Sequence, residues 1–148
     1  MTNLIEVKVF DVVVAKTPYG LTSAVLLEES DGRIMPILVD PYQASSIRAA
    51  MEGEVGEVEN THDLLMKVMK EAAVTLKKAT IYALVDDRFQ ANITIESNGA
   101  ERELESRASD AIALALRARV PIYVAEDVFD KASISREELT RGEPSEEM

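Results

Sequence analysis

The run Ala111-Ile112-Ala113-Leu114-Ala115-Leu116 constrains this chain more than any other stretch. Its alternation of small and branched apolar residues, opened by Ser109-Asp110, predicts a short helix over 110–119 with Ser109 as its cap. That helix is apolar on every side, so it must be buried. A chain of 148 residues has the core for it, because at this length roughly 70% of the unfolded surface is removed from water. The polar entrance Glu105-Ser106-Arg107-Ala108-Ser109-Asp110 then lies near the core, where Arg107 and Asp110 need partners to offset their desolvation.

The rest of the pattern supplies the cover. Ile5, Val7 and Val9 alternate with Glu6 and Lys8, the period of a half-buried strand, and Val12-Val13-Val14 breaks the alternation, which calls for a bulge near Asp11 or burial of both faces. Turn residues Thr17-Pro18-Tyr19-Gly20 and Asp31-Gly32 divide the first third into a three-stranded meander with further strands over 23–28 and 33–39. Ile81, Ala83 and Val85 face Phe89, Ala91, Ile93 and Ile95 across Asp86-Asp87, and Asn98-Gly99 turns the chain again into a strand over 100–104. Pro121-Ile122-Tyr123-Val124 follows the buried helix closely enough to make a βαβ crossover, right-handed by the general rule.

Two more helices are expected. Asp40-Pro41 is a cap followed by a proline at the first helical position, with Ala44, Ile47 and Met51 on one face and Gly53 as the stop. The second opens at Thr61, with Asp63 in its first turn and Lys77 and Lys78 in its last; Leu64, Leu65, Val68, Ala72 and Leu76 would be its buried stripe. Residues 52–60 read as a mobile acidic loop. The elements add up to an α+β fold, a mixed but largely antiparallel sheet with about three main helices, in one globular domain over 1–134. Residues 135–148 form an acidic C-terminal segment, part helix and part disordered.

Composition removes several chemistries. With no Cys and one His, the chain has no disulfide, no thiolate or multi-His metal site and no thiol nucleophile. No dinucleotide or P-loop glycine motif is present, and no Gly-x-Ser-x-Gly elbow. No apolar run reaches the ~20 residues of a membrane span, and the start has no secretory h-region, so the expected location is the cytoplasm, away from membranes. The net charge of −11 argues against a strong nonspecific grip on polyanions.

Three polar segments are left to carry chemistry. Thr61-His62-Asp63 opens a helix, where an anion could sit with His62 as donor or general acid; the alternative is a Thr cap with two exposed residues. Glu105 to Asp110 is either a buried Arg–carboxylate latch or a site that holds a metal through Asp110 and Glu105 or a phosphate through Arg107. Asp86-Asp87, with Asp31 and Asp40 at other strand ends, is a turn or a cation site.

Met35-Pro36-Ile37-Leu38-Val39 with Ala44 and Ile47, then Thr61-His62-Asp63-Leu64-Leu65, then Arg107-Ala108-Ser109-Asp110 running through Arg117 to Val120-Pro121-Ile122-Tyr123-Val124, together resemble the bifunctional nuclease domain family. The similarity spans about 7–132. It implies a compact α+β domain around a mixed sheet, self-association into a homo-oligomer, and nuclease activity on DNA and RNA. The family pattern has Arg-Pro where this chain has Val58-Glu59-Asn60, a Glu where it has Gln43, and Asp-x-Arg-Pro-Ser-Asp where it has Glu105 to Asp110. His62, Asp63, Arg107 and Asp110 match the motif.

These residues define a working hypothesis. Asp110, Asp63 and Glu105 would hold Mg²⁺ or Mn²⁺; His62 would act as general acid or base; Arg107 would stabilise charge on phosphate, with Thr61 and Ser109 at the substrate and nucleic acid reached through the metal. It requires the helix entrances at Thr61 and Ser109 to converge. The competing expectation is a non-catalytic oligomeric scaffold or a small-anion-binding module, in which the same residues latch the elements together.

Overall fold

The computed structural model describes residues 3–53, 60–135 and 137–138. Seven strands form one mixed sheet in the order β3-β2-β1-β7-β4-β5-β6. The meander comprises β1 (Leu4–Thr17), β2 (Gly20–Glu28) and β3 (Ile34–Val39), paired antiparallel. The bulge expected near Asp11 is present, as a register shift between Val9 and Asp11 against β2. It lets β1 serve two partners, pairing β7 (Ile122–Ala125) through Leu4 to Val7 and β2 from Lys8 onward.

The hairpins β4 (Thr75–Val85), β5 (Arg88–Ser97) and β6 (Ala100–Arg107) form the other half of the sheet. Both turns place non-glycine residues at positive φ, 53° and 64° at Asp86 and Asp87 and 53° at Asn98, the backbone that two-residue hairpins need. Strand β6 runs to Arg107, three residues past Leu104, because Glu105, Ser106 and Arg107 continue the ladder with Asn92, Ala91 and Gln90. The first half of the expected polar loop is therefore strand, ending at Arg107, and Ala108 to Asp110 are already helix.

Helix α3 (Ala108–Ala118) is the buried helix, with Ala111, Ile112, Ala113 and Ala115 all at 0% exposure. It packs on β4, β5 and β6 and against α1 (Pro41–Glu52) and α2 (Thr61–Glu71). It then leads into β7, which lies parallel to β4, and β6 shares that direction through two antiparallel pairings. The crossover is real but spans two intervening strands. A fourth helix, α4 (Glu126–Ala132), not foreseen from the sequence, buries Val128 and Phe129 against β3, β4 and β7.

Three helix expectations need correction. Ser109 does not cap α3: the helix starts two residues earlier than expected, at Ala108, Arg107 is the N-cap residue, and it makes no side-chain cap bond. Thr61 does not cap α2: Asn60 does, in a capping box in which its side chain accepts from the Asp63 amide while the Asp63 carboxylate accepts from the Asn60 amide. Helix α2 ends at Glu71, Ala73 takes φ 57°, and Lys77 and Lys78 belong to β4.

The stripe also differs. Leu64, Leu65 and Val68 are exposed, as is Met51 on α1, while His62 and Met69 are buried and Met66 half-buried. The main packing partner of α2 is α3, so only the narrow face at i, i+4 and i+7 is covered. Among the described residues no helix is long and apolar enough to cross a membrane. The 52–60 loop, apart from its ends, and most of the acidic segment lie outside the described residues.

Candidate functional site

Three helices deliver polar side chains to one place. Gln43 and Ser46 sit one turn apart on α1, Asn60, His62 and Asp63 open α2, and Asp110 and Arg117 lie two turns apart on α3. The helix entrances do converge: His62 Nε2 is 2.8 Å from Asp110 Oδ1, and its Nδ1 is 2.6 Å from Ser46 Oγ. His62 is 5% exposed, so both ring nitrogens meet protein rather than water.

Counting hydrogens assigns the tautomer. Ser46 Oγ accepts from Asn60 Nδ2 at 3.1 Å and from Arg117 Nη2 at 3.0 Å, which fills its two lone pairs. Its own proton must go to His62 Nδ1. The ring therefore carries its hydrogen on Nε2 and donates it to Asp110.

Beyond Asp110 the chain of contacts reaches solvent. Arg107 Nε lies 3.5 Å from Asp110 Oδ2, with side-chain exposures of 62% and 35%. Buried Gln43 completes the group: turning its amide so that N and O exchange places lets it donate to Asp110 Oδ1 at 3.3 Å and accept from Arg107 Nη2. Arg107, Ser109, Gln43 and Glu105 line a cleft of about 1150 Å³ between β3 and the β4–β5 hairpin. Asp110 and His62 are not among its lining residues and connect to it through Arg107 and Gln43.

Asp63 belongs to a different part of the network. Its Oδ1 accepts from Arg117 Nε at 2.7 Å and its Oδ2 from the Asn60 amide at 3.1 Å. The Arg117 guanidinium, more than the Asn60 amide, holds this carboxyl below the usual carboxylate range. A group with a depressed folded pKa contributes stability above its unfolded value of about 3.9 and loses it as pH falls through the lower folded value. The melting temperature should therefore fall with acidification below about pH 4, and Asp63→Asn should flatten that limb. Parallel acid limbs in the two proteins would contradict the assignment.

Glu105 is engaged as well. The Tyr82 hydroxyl donates to its carboxylate at 2.6 Å, and the pairing raises the phenol above its ordinary pKa. Asp63, Glu105 and Asp110 thus have separate partners, and the described residues contain no group of three or more Asp, Glu or His side chains able to hold a metal ion. A protein-built cage for Mg²⁺ or Mn²⁺ does not fit this arrangement. Either ion alone should leave the melting temperature unchanged; a rise that saturates with concentration would show a cage after all. Thr61 meets the Tyr42 hydroxyl through its amide at 3.3 Å, and Ser109 is buried.

Sequence reasoning missed Ser46, Asn60, Arg117 and the contacts of Gln43. Gln43 stands where the family pattern has a Glu, Asn60 falls where it has Arg-Pro, and Arg117 ends a block that carries the resemblance, but none of these marked a contact; Ser46 carried no signal.

The bifunctional nuclease domain model matches residues 25–137. The chain belongs to the bifunctional nuclease domain family. That stretch contains the whole polar network and the cleft. Two uncharacterized proteins of Mycobacterium tuberculosis, MT1877 of strain CDC 1551 / Oshkosh and Rv1829 of strain H37Rv, are each 33% identical to it over 110 residues, 74% of this chain. The matched stretch spans 65% of the length of those relatives.

Proposed function

We propose that this chain hydrolyses phosphodiester bonds in DNA or RNA, with Arg107 binding the scissile phosphate at the cleft and Asp110 accepting the proton of the attacking water. The observation that carries this reading is the run of contacts Ser46–His62–Asp110–Arg107, which begins on a buried hydroxyl and ends on an arginine at the cleft wall. Arg107 donates to the non-bridging oxygens and offsets the charge that develops on them. Asp110 Oδ2, the oxygen not bonded to His62, would take one proton of the attacking water as its oxygen bonds to phosphorus; the P–O bond to the leaving nucleotide then breaks, and that oxygen takes its proton from solvent. His62 and Gln43 are positioning residues: both ring nitrogens of His62 are taken, so it orients Asp110 instead of meeting substrate.

A divalent cation enters this proposal only as one that arrives on the substrate's phosphates, where Mg²⁺ or Mn²⁺ keeps most of its waters and needs few protein carboxylates. The roles given to Arg107 and Asp110 do not run through it. Asp63, Glu105, Thr61 and Ser109 support the surrounding structure.

The test is cleavage of labelled oligonucleotides by protein freed of contaminating nucleases. Arg107→Ala and Asp110→Asn should each abolish it, and His62→Asn should reduce it. Activity unchanged in Arg107→Ala would overturn the proposal.

One observation favours a second reading, a non-catalytic latch or anion-binding module: Ser46, His62, Asp63 and Arg117 are satisfied entirely within the protein. Under that reading Asp110→Asn lowers the melting temperature strongly, and the wild type shows no cleavage to lose.

A further inference from the structure

Resting on the proposed hydrolysis but extending it to the kind of substrate, we infer that the cleft takes a short single-stranded oligonucleotide and not a duplex. A base lies against Phe89 and a phosphodiester between Arg88 and Arg107.

The charges on the cleft wall point away from a duplex. Arg88 and Arg107 are its cations, and Asp40, Asp87 and Glu105 outnumber them. The chain as a whole carries −11. Duplex DNA presents about one negative charge per 1.7 Å of axis, and a protein grips it by neutralising several phosphates at once. Two arginines among three carboxylates cannot do that. They can hold one phosphate, and Arg88 is available for it: it is exposed and makes no ion pair among the described residues.

Affinity must then come from the bases. Phe89 is half-buried, lines the cleft and packs on the core, which holds its ring. Leu84 and the 61%-exposed Leu38 extend the apolar wall. An aromatic face of this kind stacks any base, but only one that is not already stacked and paired in a duplex. At about 1150 Å³ the cleft slightly exceeds the roughly 300–1,000 Å³ range of small-ligand sites, enough for a few nucleotides and no more.

The test is fluorescence anisotropy on the full chain in EDTA, with a labelled tetranucleotide and a labelled duplex, alongside a cleavage assay with Mg²⁺ or Mn²⁺. The tetranucleotide should bind at least tenfold more tightly than the duplex. Phe89→Leu, which keeps the apolar packing but removes the ring face, should weaken it about tenfold. Arg88→Ala, at an exposed site, should weaken it as well. Equal or tighter duplex binding, no tetranucleotide binding, or affinity unchanged in both variants would overturn the inference. Equal cleavage of duplex and single strand would also overturn it and leave the hydrolysis standing. Phe89-dependent binding without any cleavage would do the reverse, removing the hydrolysis and supporting the cleft as a single-strand site.

Discussion

Replacing Arg117 by Ala should cost about 3 kcal/mol of stability, the lower end of what breaking a buried ion pair by removing one partner costs. For a chain of this size that lowers the melting temperature by about 6–12 °C. The Arg117 side chain is 10% exposed, and its guanidinium touches three elements: Asp63 on α2, the Ser46 carbonyl and hydroxyl on α1 at 3.2 and 3.0 Å, and the Ala113 carbonyl within α3 at 3.0 Å. Truncation leaves the Asp63 carboxylate, itself 23% exposed, with only the Asn60 amide.

Arg117→Lys should recover little, since one ammonium cannot make the planar fork that reaches Asp63 and Ser46 together. The double variant Asp63→Leu with Arg117→Met should come closer to wild type than Arg117→Ala alone, because no charge is then stranded. Calorimetric melting of the four proteins decides it. A loss under about 1 kcal/mol for Arg117→Ala would mean that the staple carries no more than a surface pair.

Why this residue was invisible in the sequence is instructive. Arg117 sits in the last turn of a helix, where a cation is expected for the dipole alone, and Ser46 is an unremarkable small residue on an amphipathic helix. The family block that ends in Arg117 names no partner for it, because its partners Asp63 and Ser46 lie 54 and 71 positions away in sequence. The strands were legible for the opposite reason. Their period-two patterns and turn residues act within a few positions, which places the Asp86-Asp87 and Asn98-Gly99 hairpins and leaves the bulge at Asp11 as one of two alternatives.

Helix α2 falls between these cases. Leu64, Leu65, Val68, Ala72 and Leu76 fit a helical stripe, yet the rotation of the helix follows its polar end. His62 must reach Ser46 and Asp110 at once, and this turns the leucines toward solvent. Convergence of His62 with Asp110 was a requirement that the motif could state and only the fold could meet. Asp63, Glu105 and Asp110, expected together around a metal, each have their own donor in Arg117, Tyr82 and His62, a competition that residue types alone do not resolve.

Arg107→Ala should lower cleavage by at least about 100-fold, the scale of losing one preorganised donor to transition-state charge, while leaving the fold nearly intact. The two halves of this expectation have separate causes. Arg107 is 62% exposed on its side chain and its pair with Asp110 is long, 3.5 Å, so little stability depends on it. Its backbone, which closes β6 and opens α3, is unaffected by truncation. Its head, however, already lies at the cleft wall beside Asp110 and Gln43, so the proposed reaction would need little further ordering of it.

Lys at this position keeps the charge and loses the two-point contact, so Arg107→Lys should retain binding better than turnover, with KM moving less than kcat. His62→Asn should lower kcat without raising KM in proportion, since His62 acts through Asp110 and not on substrate. If Arg107→Ala melts like wild type and cleaves like wild type, the arginine is only a surface residue beside Asp110. If instead it melts far lower, the latch extends to Arg107, and the loss of cleavage would report folding, not chemistry.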